Sequence, residues 1–357
     1  MNYKRLYDLG LNEELLKEVE EKYSDFYIGR VAFESKGLYK VMTEENIVIA
    51  KVLGKLIYNS NGRADYPAVG DWVVLDRDTD KNGEAIIYGI LSRKSKFSRK
   101  APDRKIEEQI VAVNIDYVFI CMSLNNDFNI RKLERYISVA YDSGAGVVVA
   151  LTKADLCDNV EEKLLEVSSV AFGADVIVIS SILNLGIEEV KKYVKKGKTI
   201  AFLGSSGVGK STLINSLLGD EKLKTSDIRE GDDKGRHTTT HRELILLPDG
   251  GVVIDTPGMR ELQIYDSSQG VSTSFSDIEE LAARCKFSDC NHDTEPGCQI
   301  RRALEDGSLT IERFNSYLKL KREAEFMERK VKKSEALNYK KNMIKASKKF
   351  YNEERKH

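Results

Sequence analysis

The apolar positions of this chain change period twice. In residues 1–22, Leu11, Leu15, Leu16 and Val19 fall on one helical face, which predicts a short amphipathic helix. From residue 26 to about 91 the pattern becomes short β-rich runs at 26–33, 38–42, 46–52, 71–75 and 85–91. Asn61-Gly62, Pro67 and Asn82-Gly83 punctuate them. Five short strands in so few residues predict a small β-barrel, with an OB-fold as the leading candidate and an SH3-like barrel close behind. The single tryptophan, Trp72, is expected to fill the core rather than stack on a base.

From Ile110 onward, strand-like runs at 117–122, 147–151, 176–180 and 199–203 alternate with helical spacing at 130–142, 160–171, 186–194 and 210–218. That alternation predicts a mostly parallel sheet wrapped by helices. Residues 219–241 are polar and without period, and a loop of that length inside a compact domain is usually functional. Residues 242–247 and 252–255, joined by Pro248-Asp249-Gly250-Gly251, predict a hairpin. Beyond about residue 266 the chain reads as polar and helical, ending in a long Lys/Glu-rich helix. The expected architecture is multidomain α/β: a helical extension (1–22), a β-barrel (23–97), a domain with a mostly parallel sheet (98–267) and a helical C-terminal domain (268–357).

Composition narrows the class. The 357 residues are 41% hydrophobic and 32% charged, as in a soluble globular protein. The first ten residues lack the apolar region of a signal peptide. No apolar run approaches the roughly 20 residues of a membrane helix. A cytoplasmic protein without a membrane partner is expected. The net charge of −1 conceals an asymmetry: residues 312–357 hold 15 Lys/Arg against 7 Asp/Glu. A second basic run, 93–105, holds seven Lys/Arg and one Asp. Each is either a polyanion-binding patch or a solvated stretch.

Candidate chemistry centres on Gly204-Ser205-Ser206-Gly207-Val208-Gly209-Lys210-Ser211-Thr212, which reads G-x-x-x-x-G-K-S between a strand and a helix. Its glycines let the backbone turn and aim N–H groups inward, and the helix N-terminus adds partial positive charge. Lys210 can reach the β- and γ-phosphates, and the Ser211 hydroxyl can ligate Mg²⁺. Thr152-Lys153-Ala154-Asp155 follows another buried strand and resembles the guanine-reading motif of GTPases. The Asp155 carboxylate can accept from both donors on the guanine edge, which adenine lacks. Ser180 and Ser181, again past a strand, are the expected companion loop, touching the base through backbone N–H. Asp255, opening Asp255-Thr256-Pro257-Gly258, fits a carboxylate on the Mg²⁺ side, with Gly258 donating its N–H to the γ-phosphate. Between these motifs, Gly235-Arg236-His237-Thr238-Thr239-Thr240 offers one of its three threonines, with Thr239 as the choice, to the Mg²⁺ shell when the γ-phosphate is present, as a switch does.

Five cysteines do not pair off. Cys121 and Cys157 belong to apolar segments and are expected to be buried thiols. Cys285, Cys290, His292 and Cys298 are spaced C-x4-C-x-H-x5-C, which suits one structural Zn²⁺.

The order of parts is unusual, because the base-reading segment precedes the phosphate loop. The barrel, the permuted order, the segment 235–240 and the Cys/His cluster together resemble the circularly permuted ribosome small-subunit-dependent GTPase A family, over roughly residues 25–325. The resemblance implies a GTPase that binds GTP and GDP and is stimulated by the small ribosomal subunit. It implies ribosomal RNA as the polyanion and late subunit maturation as the setting; a monomer is expected. Two departures matter. Thr152 stands where asparagine is more usual. Met259 stands where Ras-like enzymes carry a water-positioning glutamine, and a thioether cannot orient water. The resemblance points to His237 as the catalytic group, with His241 as the rival. The alternative function is an RNA-binding scaffold in which nucleotide is a structural ligand with negligible turnover.

Overall fold

The computed structural model describes residues 3–60, 62–79, 81, 83–100, 108–219, 242–255 and 268–354. The N-terminal segment forms two helices, α1 (Lys4–Asp8) and α2 (Glu13–Lys22), not the single helix expected from its apolar spacing. The break is at Gly10, whose φ of +97° ends α1, and Asn12 then caps α2 by accepting from the Leu15 N–H. These helices are part of the core, with Leu6, Leu9, Leu11, Leu15 and Val19 all buried.

Five strands close into a barrel: β1 (Tyr27–Ser35), β2 (Leu38–Met42), β3 (Ile47–Val52), β4 (Trp72–Leu75) and β5 (Ala85–Ile90), with α3 (Gly54–Asn59) after β3. Their order is β1-β2-β3-β5-β4, and β4 returns to pair with β1. This closed order, with β3 and β5 parallel, is the OB-fold arrangement. Alternate residues such as Val31, Val41, Val73 and Leu75 fill the barrel. Trp72 and Val74 lie on the other face of β4 and join the core shared with α1, α2 and the neighbouring domain. Trp72 is thus a core residue, as expected, but its core is the junction and not the barrel interior.

The strands β6 (Lys96–Lys100) and β7 (Glu108–Val113) form an antiparallel pair. The basic run that begins at Arg93 is therefore not a plain linker. Arg93 donates to both carboxylate oxygens of Asp71 at 2.7 Å and to the Ala64 and Tyr66 carbonyls. Lys94 pairs with Asp116 at 2.9 Å. These two charges are engaged inside the fold.

The next sheet is built from β8 (Tyr117–Ser123), β9 (Gly146–Thr152), β10 (Asp175–Val178), β11 (Thr199–Leu203), β12 (Glu243–Leu246) and β13 (Val252–Asp255). Its order is β10-β9-β8-β11-β13-β12, parallel except for β12. The helices between strands are α4 (Ile130–Asp142), α5 (Val160–Ser168), α6 (Ile187–Lys191) and α7 (Lys210–Leu218). Both sheet faces are covered: Ile120, Val149 and Leu151 face the core of Leu133 and Ile137, while Phe119 and Phe202 face that of Leu213 and Leu217. Phe33 of β1 pairs with Glu243 of β12, so the barrel continues this sheet.

Arg30 fastens the junction. Its buried guanidinium lies 5.4 Å from the Trp72 ring centroid and donates to the carbonyls of Leu9, Gly70 and Asn114 and to the Thr199 hydroxyl. Four neutral acceptors drawn from three parts of the chain satisfy a charge that burial would otherwise make costly. Burial pulls its pKa down to about 10, against the opposing pull of Asp116 and Asp71.

The C-terminal region holds α8 (Ser268–Ser274), α9 (Ser276–Ala283), α10 (Gln299–Glu305) and α11 (Ile311–Glu354). The terminal helix is not simply solvated: Phe314, Tyr317, Leu320, Ala324, Met327 and Val331 form a buried stripe along its first half. Among the described residues, no helix is long and apolar enough to cross a membrane.

Candidate nucleotide site and metal cluster

The phosphate loop is shaped by close packing. Gly204 has φ +152°, and a Cβ there would lie 2.5 Å from the Cys121 carbonyl oxygen. Gly209, at φ +102°, turns the chain into α7. Lys210 at the start of α7 folds its amine back over the loop, donating to the carbonyls of Gly204 (2.7 Å) and Ser205 (2.6 Å). Ser211 and Thr212 follow in the first helical turn, and Ser206, Gly207 and Val208 complete the loop.

The candidate base-reading segment, 152–155, follows β9, two strands from β11 in the sheet. Thr152 ends β9, and its hydroxyl donates to the Val208 carbonyl at 2.5 Å. Lys153 takes the left-handed conformation at φ +57°, which turns the chain out of the strand before Ala154 and Asp155. The Ser180 hydroxyl donates to Asp155 Oδ1 at 2.5 Å. The backbone N–H of Ser180 is bonded to the Leu185 carbonyl, so it does not face the base as expected. The Ser180 side chain is instead bonded to Asp155, and Ser181 follows it in the loop.

Asp255 closes β13 and is buried. Burial raises its pKa above the ordinary carboxylate value, the Lys210 ammonium opposes that rise, and Glu243 adds to it. Strand β13 neighbours β11, which delivers the phosphate loop, so Asp255 and Lys210 share one end of the sheet. The expected positions His237, Thr239, His241, Gly258 and Met259 lie outside the described residues.

One residue at the loop carries no motif. Lys132, in the first turn of α4, donates to the Ser205 hydroxyl at 2.5 Å and lies 5.9 Å from the Tyr136 ring centroid. The same helix is gripped by the C-terminal region. Arg313 of α11 donates to Glu134 Oε1 at 3.0 Å and to both Asp277 oxygens, at 2.8 and 2.7 Å. Ser316 donates to Glu134 Oε2 at 2.6 Å, and the Ser138 and Ser274 hydroxyls meet at 2.6 Å. The C-terminal region therefore reaches the phosphate loop through α4.

Cys285, Cys290, His292 and Cys298 converge as expected, with their ligand atoms all within 4.8 Å of one another. His292 Nδ1 lies 3.6 Å from Cys285 Sγ and 3.5 Å from Cys298 Sγ, and those sulfurs are 4.0 Å apart. The cluster is built into its surroundings. The Gln299 N–H donates to Cys285 Sγ and the Arg301 N–H to Cys298 Sγ, both at 3.4 Å. Glu295 accepts from the N–H groups of Asn291, Asp293 and Thr294, fixing the ligand loop, and these bonds pull its pKa down to about 2. The set can hold a metal ion. Of the remaining cysteines, Cys121 is buried, whereas Cys157 is only partly so.

A family model described as RsgA GTPase matches residues 90–265. The small ribosomal subunit biogenesis GTPase RsgA 2 of Lactiplantibacillus plantarum is 50% identical over 299 residues, 84% of this chain and 84% of its own. The corresponding RsgA of Methanosarcina acetivorans is 41% identical over 322 residues, 90% of this chain and 86% of its own. Among solved structures, YjeQ from Thermotoga maritima is similar at a TM-score of 0.62 and 26% identity, covering 84% of this chain and 98% of that one. The circularly permuted GTPase YloQ shares the fold at a TM-score of 0.60 and 22% identity, covering 85% of this chain and 96% of that one.

Proposed function

This chain belongs to the RsgA family and is a GTP-hydrolysing enzyme of small ribosomal subunit biogenesis, and we propose that its turnover is switched on by the small subunit itself during late maturation. The observation that carries the nucleotide half of this reading is the Thr152–Val208 hydrogen bond, which joins the base-reading and phosphate-binding segments 56 positions apart. That bond supports reading the two segments, reversed in the chain, as parts of one site.

In this reading the loop 204–209 wraps the phosphates with its N–H groups, and Lys210 and Thr212 complete the cradle. Lys210 exchanges its two carbonyl bonds for phosphate oxygens. Asp155, held by Ser180, accepts from the guanine edge, and Lys153, Ala154 and Ser181 enclose the base. Asp255, Ser211 and Thr239 would be the oxygen donors for Mg²⁺. When bound, that ion neutralises charge on the β- and γ-phosphate oxygens. Gly258 donates its N–H to the γ-phosphate. His237 orients the attacking water and accepts its proton, a role that imidazole can fill near neutral pH and Met259 cannot. The metal of the Cys/His cluster is one structural zinc. Zn–S bonds of about 2.3 Å would put tetrahedral sulfurs about 3.8 Å apart, close to the 4.0 Å between Cys285 and Cys298 Sγ, which supports that reading. The protein acts as a cytoplasmic monomer, with ribosomal RNA as the polyanion.

The test is single-turnover GTP hydrolysis with and without purified small subunits. Stimulation of at least tenfold is expected. Nucleotide binding with no turnover in either condition would instead favour an RNA-binding scaffold.

A further inference from the structure

Two ammonium groups meet on Ser205, the second residue of the phosphate loop. Lys210 donates to its carbonyl at 2.6 Å and Lys132 to its hydroxyl at 2.5 Å. The first lysine belongs to the loop's motif, whereas the second arrives from another element. Strand β8 lies beside β11, so the helix that follows β8 starts near the loop that follows β11. Asn129 caps that helix by accepting from the Lys132 N–H at 3.0 Å, which fixes the backbone from which the side chain reaches. Further along α4, Ser138 meets Ser274, and Glu134 is held by Arg313 and Ser316, so the helix is anchored to α8 and α11.

The basic neighbours of Lys132 are spent on carboxylates, Arg131 on Glu134 at 2.7 Å and Arg135 on Glu323 at 2.8 Å. Among the described residues, Lys132 has no carboxylate within ion-pair distance. Its half-buried ammonium lies instead 5.9 Å from the Tyr136 ring centroid. The Tyr136 phenol oxygen is the one buried side-chain polar atom without a hydrogen-bond partner among the described residues. Burial raises the pKa of that phenol, and the neighbouring Ser205 acts the other way. A cation without a counter-ion and a phenol without a partner thus flank the same serine. An ammonium left uncompensated beside a phosphate loop stabilises negative charge placed in the loop.

We propose that Lys132 is a positioning residue for the nucleotide: through Ser205 it holds the phosphate loop in its binding shape, and its charge favours the triphosphate over the diphosphate. The inference rests on the nucleotide site read above. When phosphate arrives, Lys210 leaves the Ser205 carbonyl, while the bond from Lys132 remains and keeps Ser205 in place. A loop already held loses less freedom on binding. The contribution of charge is separate. GTP carries more negative charge than GDP, so a nearby cation attracts it more strongly. The same preference lets GDP leave after hydrolysis.

The experiment measures the affinity of the full chain, with Mg²⁺ present, for labelled GDP and for a labelled, non-hydrolysable GTP analogue. Three variants separate charge from hydrogen bond. Lys132→Gln keeps a donor and removes the charge. Lys132→Arg keeps both. Ser205→Ala keeps the charge and removes the acceptor. Lys132→Gln should weaken binding of the GTP analogue roughly tenfold and of GDP about threefold. Lys132→Arg should recover most of that loss, and Ser205→Ala should weaken both nucleotides by the same factor. A Lys132→Gln chain with parental affinities overturns the proposal. Equal losses for the two nucleotides in Lys132→Gln mark a merely structural side chain and also overturn it. If Lys132→Gln fails to fold, acylation of Lys132 in the unaltered chain by an amine-selective reagent, read by mass spectrometry, decides. The GTP analogue should then protect Lys132 more than GDP does, and reactivity unchanged by either nucleotide overturns the proposal. A parent chain that binds neither nucleotide fails the nucleotide reading itself, whereas a parent chain that binds both, with Lys132 indifferent, fails this inference alone.

Discussion

The Ser180 hydroxyl donates to Asp155 Oδ1 at 2.5 Å, across 25 positions of sequence, and so fixes the carboxylate proposed to read the base. Asp155→Ala should abolish preference for guanine over adenine nucleotides while phosphate contacts persist, since hydrogen bonds to a charged group contribute about 1.5–3 kcal/mol each. Ser180→Ala should lower GTP affinity by a smaller factor, roughly tenfold, because the acceptor remains but is no longer held. Competition between labelled GDP and unlabelled ATP measures both. Tight ATP binding by the parent chain would contradict the role of residues 152–155.

Thr152 tests the joint between the two halves of the site. Thr152→Val keeps the shape but leaves the buried Val208 carbonyl without its donor, a loss of about 1–3 kcal/mol. Both thermal stability and nucleotide affinity should fall, with kcat on saturating small subunits little changed. A variant with parental affinity and melting temperature would show that the bond is dispensable.

Asp255 gives a pH signature. Its pKa is raised in the fold, chiefly by burial. Between the ordinary aspartate value and the raised one, the folded state binds more protons than the unfolded state, so this residue's contribution to stability declines as pH rises through that window. Metal binding runs the other way, because the proton must leave first. Mg²⁺-dependent GTP affinity should therefore fall on acidification at a higher pH than a solvated aspartate would dictate. Asp255→Asn should remove that dependence along with most of the Mg²⁺ requirement. A Mg²⁺ titration of labelled GTP binding between about pH 4 and pH 7 reads the effect.

Removing the metal should be a local event. Cys298→Ser, or chelation, should disorder roughly residues 275–310, because structural zinc contributes on the order of 10–16 kcal/mol in small domains. The α4 grip by Arg313 lies outside the cluster, so nucleotide binding should survive. Native protein lacking stoichiometric zinc, or hydrogen exchange in that region unchanged by chelation, would contradict the metal assignment.

His237 is the group proposed to handle the attacking water. His237→Ala should leave GTP affinity within a few-fold but remove most of the subunit-stimulated rate, a loss of about 10²–10⁴ for a general base. His241→Ala should do much less. Single-turnover hydrolysis on saturating subunits separates them, and a parental rate from His237→Ala would place the catalytic group on the partner.

What the sequence determined by itself was whatever depends on neighbours along the chain. The phosphate loop, the Lys153/Asp155 pair and the Cys/His spacing are short motifs in which each residue acts within a few positions of the next. Helix and strand periods were equally legible: α4, α7, β2, β11 and β13 have the bounds their apolar spacing predicts. The N-terminal break was not, because one glycine with positive φ outweighed a continuous apolar face. The tertiary structure alone decided contacts between distant segments. It spent Arg93 and Lys94 on Asp71 and Asp116, set Trp72 at a junction, and turned the Ser180 hydroxyl onto Asp155. It also brought Lys132 to the phosphate loop and Arg313 to Glu134. A charged side chain looks the same in sequence whether it faces water or a carboxylate more than a hundred positions away. Only the packing that removes water decides which partner it takes, and how strongly that partner holds it.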